Sequence, residues 1–368
     1  MTSSRTPASN TKGTKNTKGT KNTKGTKNTK DTKRRRGGGD EMSTSTATGL
    51  VTLDEIVAAR ERIRAAARVT PMLEVRAPEG SAVRRLWLKA ESLQPMGAFK
   101  IRGAYNMISQ LPAEALSRGV ITYSSGNHGQ AVALAAQLLG APAVIVMPTT
   151  APAVKVEGAR SYGAEVQFAG TTSTDRQQHA EAEAARRGLT IVPPFDHPRI
   201  IAGQATVGLE VLEQCPEVDA IIVPVGGGGQ LAGVAAAVKQ SRPSVRIIAV
   251  EPDGAPTMKT AMAAGEPVSL PGTGSIADGL LTIRAGDVTF AHARAFVDEC
   301  VTVSDQAIAA AVAWLFRHAR LVVEPSGAAA TAAALAGLGG IEGATVVAMV
   351  SGGNVAPEAY VKYLTAGA

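Results

Sequence analysis

Cysteine is nearly absent from this chain: its 368 residues hold two, Cys215 and Cys300. Two such distant cysteines in ordinary apolar surroundings make neither a disulfide framework nor a metal site by spacing, and they read as structural thiols. A run of about 18 apolar residues, the length a membrane span needs, is also missing. No apolar stretch of about 7 to 15 residues follows the basic start as a secretory signal requires, so a cytoplasmic protein without a membrane partner is expected. Net positive charge is confined to one end. Residues 1–41 hold 12 Lys and Arg against 3 acids, a balance of +9, leaving 26 against 28, or −2, for everything else. The overall charge of +7 is therefore no sign of a nucleic-acid surface on the fold.

That end repeats Asn-Thr-Lys-Gly-Thr-Lys from Asn10 and closes in Arg34-Arg35-Arg36-Gly37-Gly38-Gly39. With no apolar residue to bury, it cannot offset its ordering entropy and is expected to be a disordered, basic, low-complexity tail. Two readings stand for it: an arm that touches nucleic acid or another anionic surface, or a solvated extension ahead of Met42.

The hydrophobic fraction, 45%, is that of a globular protein with an ample core, and the length suits two domains. Apolar residues recur at helical spacing from Leu53 to Ala67, after Thr52 as cap, until Thr70-Pro71 ends the pattern. Leu86–Ala90 then reads as a strand leading into Phe99-Lys100-Ile101-Arg102-Gly103-Ala104. From there short apolar strands alternate with alanine-rich helices: strands at Val120–Tyr123, Ala143–Met147, Val166–Phe168, Ile191–Val192, Ala220–Val225, Ile247–Val250 and Val346–Val350, and helices near 131–139, from 153, over 174–187, 203–212 and 231–239. Such strands imply parallel sheets buried on both faces, an α/β fold, with ligands at the carboxyl ends of the strands. One Rossmann unit is too small for all of them, so two units facing a cleft are expected.

Four segments carry chemistry. Lys100 stands at a helix start between apolar Phe99 and Ile101, a setting that lowers an amine's pKa and lets it form a Schiff base with a carbonyl cofactor, although a lone lysine there can equally be a solvated one. The turn Ser124-Ser125-Gly126-Asn127-His128-Gly129-Gln130 offers hydroxyl, amide and imidazole groups, with backbone N–H groups, to an anion. His128 reads either as a base or as a hydrogen-bonded loop histidine, so Asn127 is the better candidate for a cofactor oxygen. Gly226-Gly227-Gly228-Gly229 follows a buried strand and opens a helix, so the backbone can wrap a phosphate. No Gly-Lys-Ser/Thr follows it, and the GxGxxG spacing is not met, although Glu251 lies 22 residues beyond Gly229. Ser351, before Gly352-Gly353-Asn354, offers a hydroxyl to a heteroaromatic nitrogen or caps a helix. A Schiff-base lysine, a phosphate cup and a hydroxyl for a ring nitrogen are the three attachments of pyridoxal phosphate.

These motifs, with Val192 to Gln204 and Glu324-Pro325-Ser326-Gly327-Ala328, resemble the serine/threonine dehydratase family of pyridoxal-phosphate enzymes, closest to its threonine ammonia-lyase and serine racemase group. The similarity runs from about Thr52 to Leu364. It implies the tryptophan synthase β-like fold (fold type II), parallel sheets flanked by helices with the cofactor in an interdomain cleft: a large domain of residues 42–117 and 197–368, and a small one of 118–196. It implies that Lys100 carries the cofactor and takes the Cα proton, beside Phe99; that Gly226, Gly227, Gly228 and Gly229 hold the phosphate; and that Asn127 and Ser351 contact the phenolic oxygen and the ring nitrogen. Ser124, Ser125, Gly126, Asn127 and His128 would hold the substrate carboxylate, and Ser125 matches the acid or base of the family's racemases on the face opposite the lysine.

The implied activity is α,β-elimination on L-threonine and L-serine, giving 2-oxobutanoate or pyruvate and ammonia, by a homodimer. Phe195 resembles the dehydratases, since the animal racemases carry a polar amide there. Of the racemases' cation site, Glu251 and the backbone of Ala255 match and Thr257 replaces the second carboxylate; the ion implied is divalent or monovalent. Ala98 stands where the family usually has serine, a variant associated with relatives acting on 3-hydroxyaspartate, and Arg176 lies in a loop that can close over such a substrate. The alternatives are thus a serine racemase, a threo-3-hydroxyaspartate ammonia-lyase and, outside enzymes, a phosphate- or nucleotide-binding protein whose tail docks on nucleic acid.

Overall fold

A computed structural model of the chain describes residues 49–366 apart from Ser125 and Pro152, so the basic tail lies outside the described residues. Ten strands form two sheets: β1 (Met72–Val75), β2 (Arg85–Ala90), β3 (Val120–Tyr123), β4 (Ala143–Met147), β5 (Glu165–Phe168), β6 (Thr190–Ile191), β7 (Ala220–Pro224), β8 (Arg246–Pro252), β9 (Glu299–Val303) and β10 (Thr345–Val350). The larger sheet has the order β1-β2-β10-β7-β8-β9 and the smaller β5-β4-β3-β6. All neighbours are parallel except β1, which pairs antiparallel with β2, Leu73 opposite Leu88.

The uninterrupted apolar runs predict strands covered on both sides, and β4, β7 and β10 are buried at every residue. Successive side chains divide between the two faces. Ala220 and Ile222 join one core with Ile248, Val346 and Ala348, whereas Ile221 and Val223 join another with Ile247, Val347 and Met349. In the small sheet, Ile145 and Met147 pack with the helix Lys100–Ile108, and Val144 and Val146 pack on the opposite face with Ala180 and Ala184. Both free cysteines serve packing: Cys215 is buried in the second core and Cys300 lies part-buried in β9. Burial pushes the two thiols up to about 11 and about 12.

Local signals account for most boundaries. Thr52 caps the first helix in a capping box with Glu55, as the sequence predicts, but the helix ends at Ile63 rather than Ala67. Pro198 and Pro325 occupy the first turns of the helices Pro198–Gln214 and Pro325–Leu335, where a missing N–H costs nothing. Strand β1 and, in the segment 257–335, β9 and four helices are elements that the sequence reading does not include. Among the described residues no helix is long and apolar enough to cross a membrane.

Candidate active site

One cleft of about 270 Å³ opens at the carboxyl ends of β3, β7 and β10 and gathers residues far apart in sequence. Phe99, Lys100, Ser124, Gly126, Asn127, His128, Arg176, the four glycines 226–229 and Ser351 all line it. Glu251 and Ala255 do not, and Ser125 lies outside the described residues.

Lys100 is the first residue of its helix, and the backbone before it is pinned to the turn after β10. Phe99 N–H donates to the Ser351 carbonyl (3.1 Å), Gly353 N–H to the Gly97 carbonyl (2.9 Å), and Ala98 pairs with Gly352. Gly97 has φ +79°, and a Cβ there would overlap the Asn354 amide, so this approach requires glycine. Two residues beyond Lys100, Arg102 anchors the helix in a fully buried ion network. Its guanidinium donates to Glu91 (2.7 and 2.8 Å) and Glu210 (2.6 and 2.9 Å), and Lys89 donates to Glu210 (2.6 Å), Gln214 (2.8 Å) and the Thr70 carbonyl (2.8 Å). The Lys100 amine, over the Phe99 ring at 5.1 Å, donates to the Pro194 carbonyl at 2.7 Å. Burial lowers its pKa to about 8.

The sequence predicts a turn through Gln130, but the helix begins at Asn127, with Gly126 at its N-cap, and runs to Leu138, leaving the first N–H groups without intrahelical partners. His128 therefore points from a helix. Its Nε2–H donates to the Val192 carbonyl at 3.0 Å, which also accepts from Thr122 Oγ1–H at 2.7 Å. A carbonyl can only accept, so Nε2 carries the proton and Nδ1 is a buried lone pair without a partner. Burial, with the Lys100 charge second, pushes this imidazole down to about 3, so it is neutral rather than basic at physiological pH.

Asn127 Nδ2–H donates to Glu324 Oε1 (2.6 Å), and its Oδ1 accepts from Asn354 (2.7 Å), which fixes the amide's orientation and leaves one N–H for the cleft. Glu324 carries no role in the sequence reading beyond membership of a motif. It is buried, and burial, with Asp278 second, raises its carboxyl to about 7.

The glycine turn opens the helix Gly229–Ser241, so Gly229 is helical and the turn proper is 226–228. A Cβ on Gly227 would overlap the Phe195 ring, and Gly228 has φ +94°. The glycines that line the cleft bring no side chains of their own to that helix end, whose first N–H groups have no partner within the helix. Sequence reasoning missed Phe195 as the wall of this cup, along with the pair Lys155 and Asp278 across the cleft mouth.

Arg176 corrects an expectation: it sits in the first turn of the helix Ser173–Arg187, not in a loop. Thr172 and Asp175 form a capping box that starts the helix ahead of it. Its guanidinium donates to Ser173 Oγ (3.0 Å), and its Nε has no partner. Glu251 accepts from the N–H groups of Met258 (2.6 Å) and Lys259 (2.9 Å), so its oxygens cap the helix Thr257–Ala264 and any cation would compete with them. Among the described residues no group of three or more His, Cys, Asp or Glu is placed to hold a metal.

Residues 63–352 match the family described as pyridoxal-phosphate dependent enzyme. The chain is 46% identical over 274 residues, 74% of its length, to the chloroplastic biosynthetic threonine dehydratase of Arabidopsis thaliana, but spans only 46% of that relative. It is 39% identical over 306 residues, 83% of its length and 76% of the relative, to the L-threonine ammonia-lyase of Thermotoga maritima. The solved structure of maize serine racemase superposes with a TM-score of 0.80 at 40% identity, covering 86% of this chain and 97% of that one. Identity of this extent along a shared fold settles the membership: the chain belongs to the pyridoxal-phosphate dependent enzymes, and pyridoxal phosphate is its cofactor.

Proposed function

We propose that this chain is an ammonia-lyase that converts L-threonine to 2-oxobutanoate and L-serine to pyruvate, releasing ammonia. The observation that carries the reading is a part-buried lysine amine of lowered pKa sharing one cleft with a helix end led in by four glycines.

The residues present fit the cofactor. Gly226 to Gly229 put no side chain of their own into the cup, Phe195 packs so closely on Gly227 that no Cβ is tolerated there, and the helix end favours an anion. In this reading Gly226–Gly229 hold the phosphate, Lys100 the carbonyl carbon, Asn127 the phenolic oxygen and Ser351 the ring nitrogen, with Phe99 beside the lysine. When bound, the cofactor supplies an electron sink for cleaving the Cα–H bond.

The chain's own residues do the rest. Lys100 Nζ, once released, takes the Cα proton; its burial among apolar groups keeps the neutral, proton-accepting form accessible near pH 8. Ser124, Gly126 and the first N–H groups of the helix at Asn127 receive the substrate carboxylate, since that helix end is positive. His128, neutral and tied to Val192, holds this turn against the segment that leads to Pro194. Ser125 is proposed to face the substrate from the side opposite Lys100.

Two lobes are proposed, residues 42–117 with 197–368 and residues 118–196, supported by the small sheet, whose strands all fall between 120 and 191. A homodimer working in the cytoplasm is proposed as well, the two free cysteines agreeing with a reducing compartment. One observation favours a second reading: Arg176 lines the cleft with an unpartnered Nε, a cation suited to the second carboxylate of threo-3-hydroxyaspartate.

The test is product release from L-threonine, L-serine and threo-3-hydroxyaspartate, with D-serine assayed in the same tubes. Fast 2-oxobutanoate formation supports the dehydratase. Oxaloacetate as the main product would favour the second reading, and D-serine alone would make the protein a racemase.

A further inference from the structure

Gln230 is the second residue of the helix Gly229–Ser241 and lines the cleft directly after the four glycines. It is 3% exposed, and neither its Oε1 nor its Nε2 has a hydrogen-bond partner. A side-chain amide offers two donor protons and two acceptor lone pairs, and leaving all of them unmatched away from water is a substantial penalty. The residues that follow, Leu231 and Ala232, are apolar and fully buried, so an apolar side chain would suit the packing without that penalty. The amide is therefore placed for something other than the core.

Its position in the helix says what that is. Cα–Cβ bonds tilt toward a helix's N-terminus, so a side chain at the second position leans back over the end where the unpaired N–H groups point. Four glycines precede it, which makes Gln230 the first side chain along the chain that can reach an anion on that end. Of the cations of the cleft, Lys155 is paired with Asp278, Lys100 is bonded to the Pro194 carbonyl, and Arg176 is bonded to Ser173 with its Nε unpartnered.

We propose that Gln230 donates from Nε2 to the cofactor phosphate, adding a side-chain ligand to a cup otherwise built of backbone N–H groups. This rests on the reading that Gly226–Gly229 hold that phosphate. Without the cofactor both ends of the amide are unmatched, and the phosphate oxygens match its Nε2 donor.

The experiment strips the full-length protein of cofactor and titrates it with pyridoxal phosphate and, separately, with pyridoxal, which lacks the phosphate. Wild type, Gln230→Met and Gln230→Glu are compared by absorbance, and thermal unfolding of the stripped proteins is followed alongside. Gln230→Met is expected to weaken pyridoxal phosphate about tenfold, the scale of one hydrogen bond to a charged group, while pyridoxal stays within about twofold. The stripped variant is expected to unfold at a higher temperature than wild type, because a purely structural glutamine would give the opposite sign. Gln230→Glu keeps the shape and sets a carboxylate against the phosphate, so its loss of pyridoxal phosphate should be larger, again with pyridoxal spared. Equal weakening of both ligands, or an unchanged ratio between them in both variants, would overturn the proposal. If wild type itself binds pyridoxal phosphate no tighter than pyridoxal, the phosphate cup falls first and Gln230 with it, an outcome distinct from failure of the variants alone.

Discussion

The Lys100 amine donates to the Pro194 main-chain carbonyl at 2.7 Å, so the group that faces the cleft is held by the turn that also delivers Phe195 to the glycine cup. A neutral carbonyl compensates an ammonium only in part, and burial leaves the charged form disfavoured. Between about pH 8 and 10.5 the unfolded chain holds a proton that the folded chain has lost, so stability of the cofactor-free protein rises with pH across that window. Lys100→Met should remove that rise, measured as the difference in denaturant midpoint between wild type and variant at pH 7.5 and pH 10.

Glu324 titrates with the opposite sign. Its carboxyl, raised to about 7 by burial and by Asp278, keeps its proton in the folded chain while the unfolded chain loses it above about 4.5. Wild type should therefore lose stability relative to Glu324→Gln as pH rises from 4.5 to 7, by at most about 1.4 kcal/mol per pH unit. Parallel pH profiles for the two proteins would contradict this assignment.

Gly227 and Phe195 are a matched pair. Gly227→Ala forces a Cβ into the Phe195 ring, an overpacking that costs about 1–3 kcal/mol, and should weaken pyridoxal phosphate by more than tenfold. Adding Phe195→Ala removes the obstacle, and the double variant should bind the cofactor more tightly than Gly227→Ala alone. Fluorescence titration of the three variants checks the sign of that coupling.

Arg102 holds the Lys100 helix through two buried carboxylates. Arg102→Met leaves Glu91 and Glu210 facing each other with Lys89 as the remaining cation, and should cost about 3–5 kcal/mol in urea unfolding. Arg102→Lys cannot reproduce the paired donors to both carboxylates, so it should recover less than half of that loss.

Much of this architecture was legible in the sequence because it rests on local signals. The runs at Ala143–Met147 and Val346–Val350 predict strands that the structure matches to within a residue, and Thr52 caps its helix as read. Four glycines after a buried strand read as a turn open to close approach, and in the structure the Phe195 ring packs against Gly227. Less legible were features that depend on partners distant in sequence. Glu324 reads as an ordinary acid until Asn127 and Asp278 surround it, 197 residues separating it from Asn127. The antiparallel β1 is four residues long and gains its place only by pairing with β2. The helix over 174–187 is matched at Ser173–Arg187, and that helix, capped by Thr172 and Asp175, is what rules out a loop at Arg176.

Lys100 is proposed to carry the cofactor, and borohydride reduction followed by peptide mass analysis tests that assignment most directly. The expected result is pyridoxal phosphate fixed to the peptide containing Lys100, with no labelled peptide from Lys100→Ala. Label on Lys89 or Lys155 instead, or cofactor that binds the wild type without any reducible linkage, would contradict it.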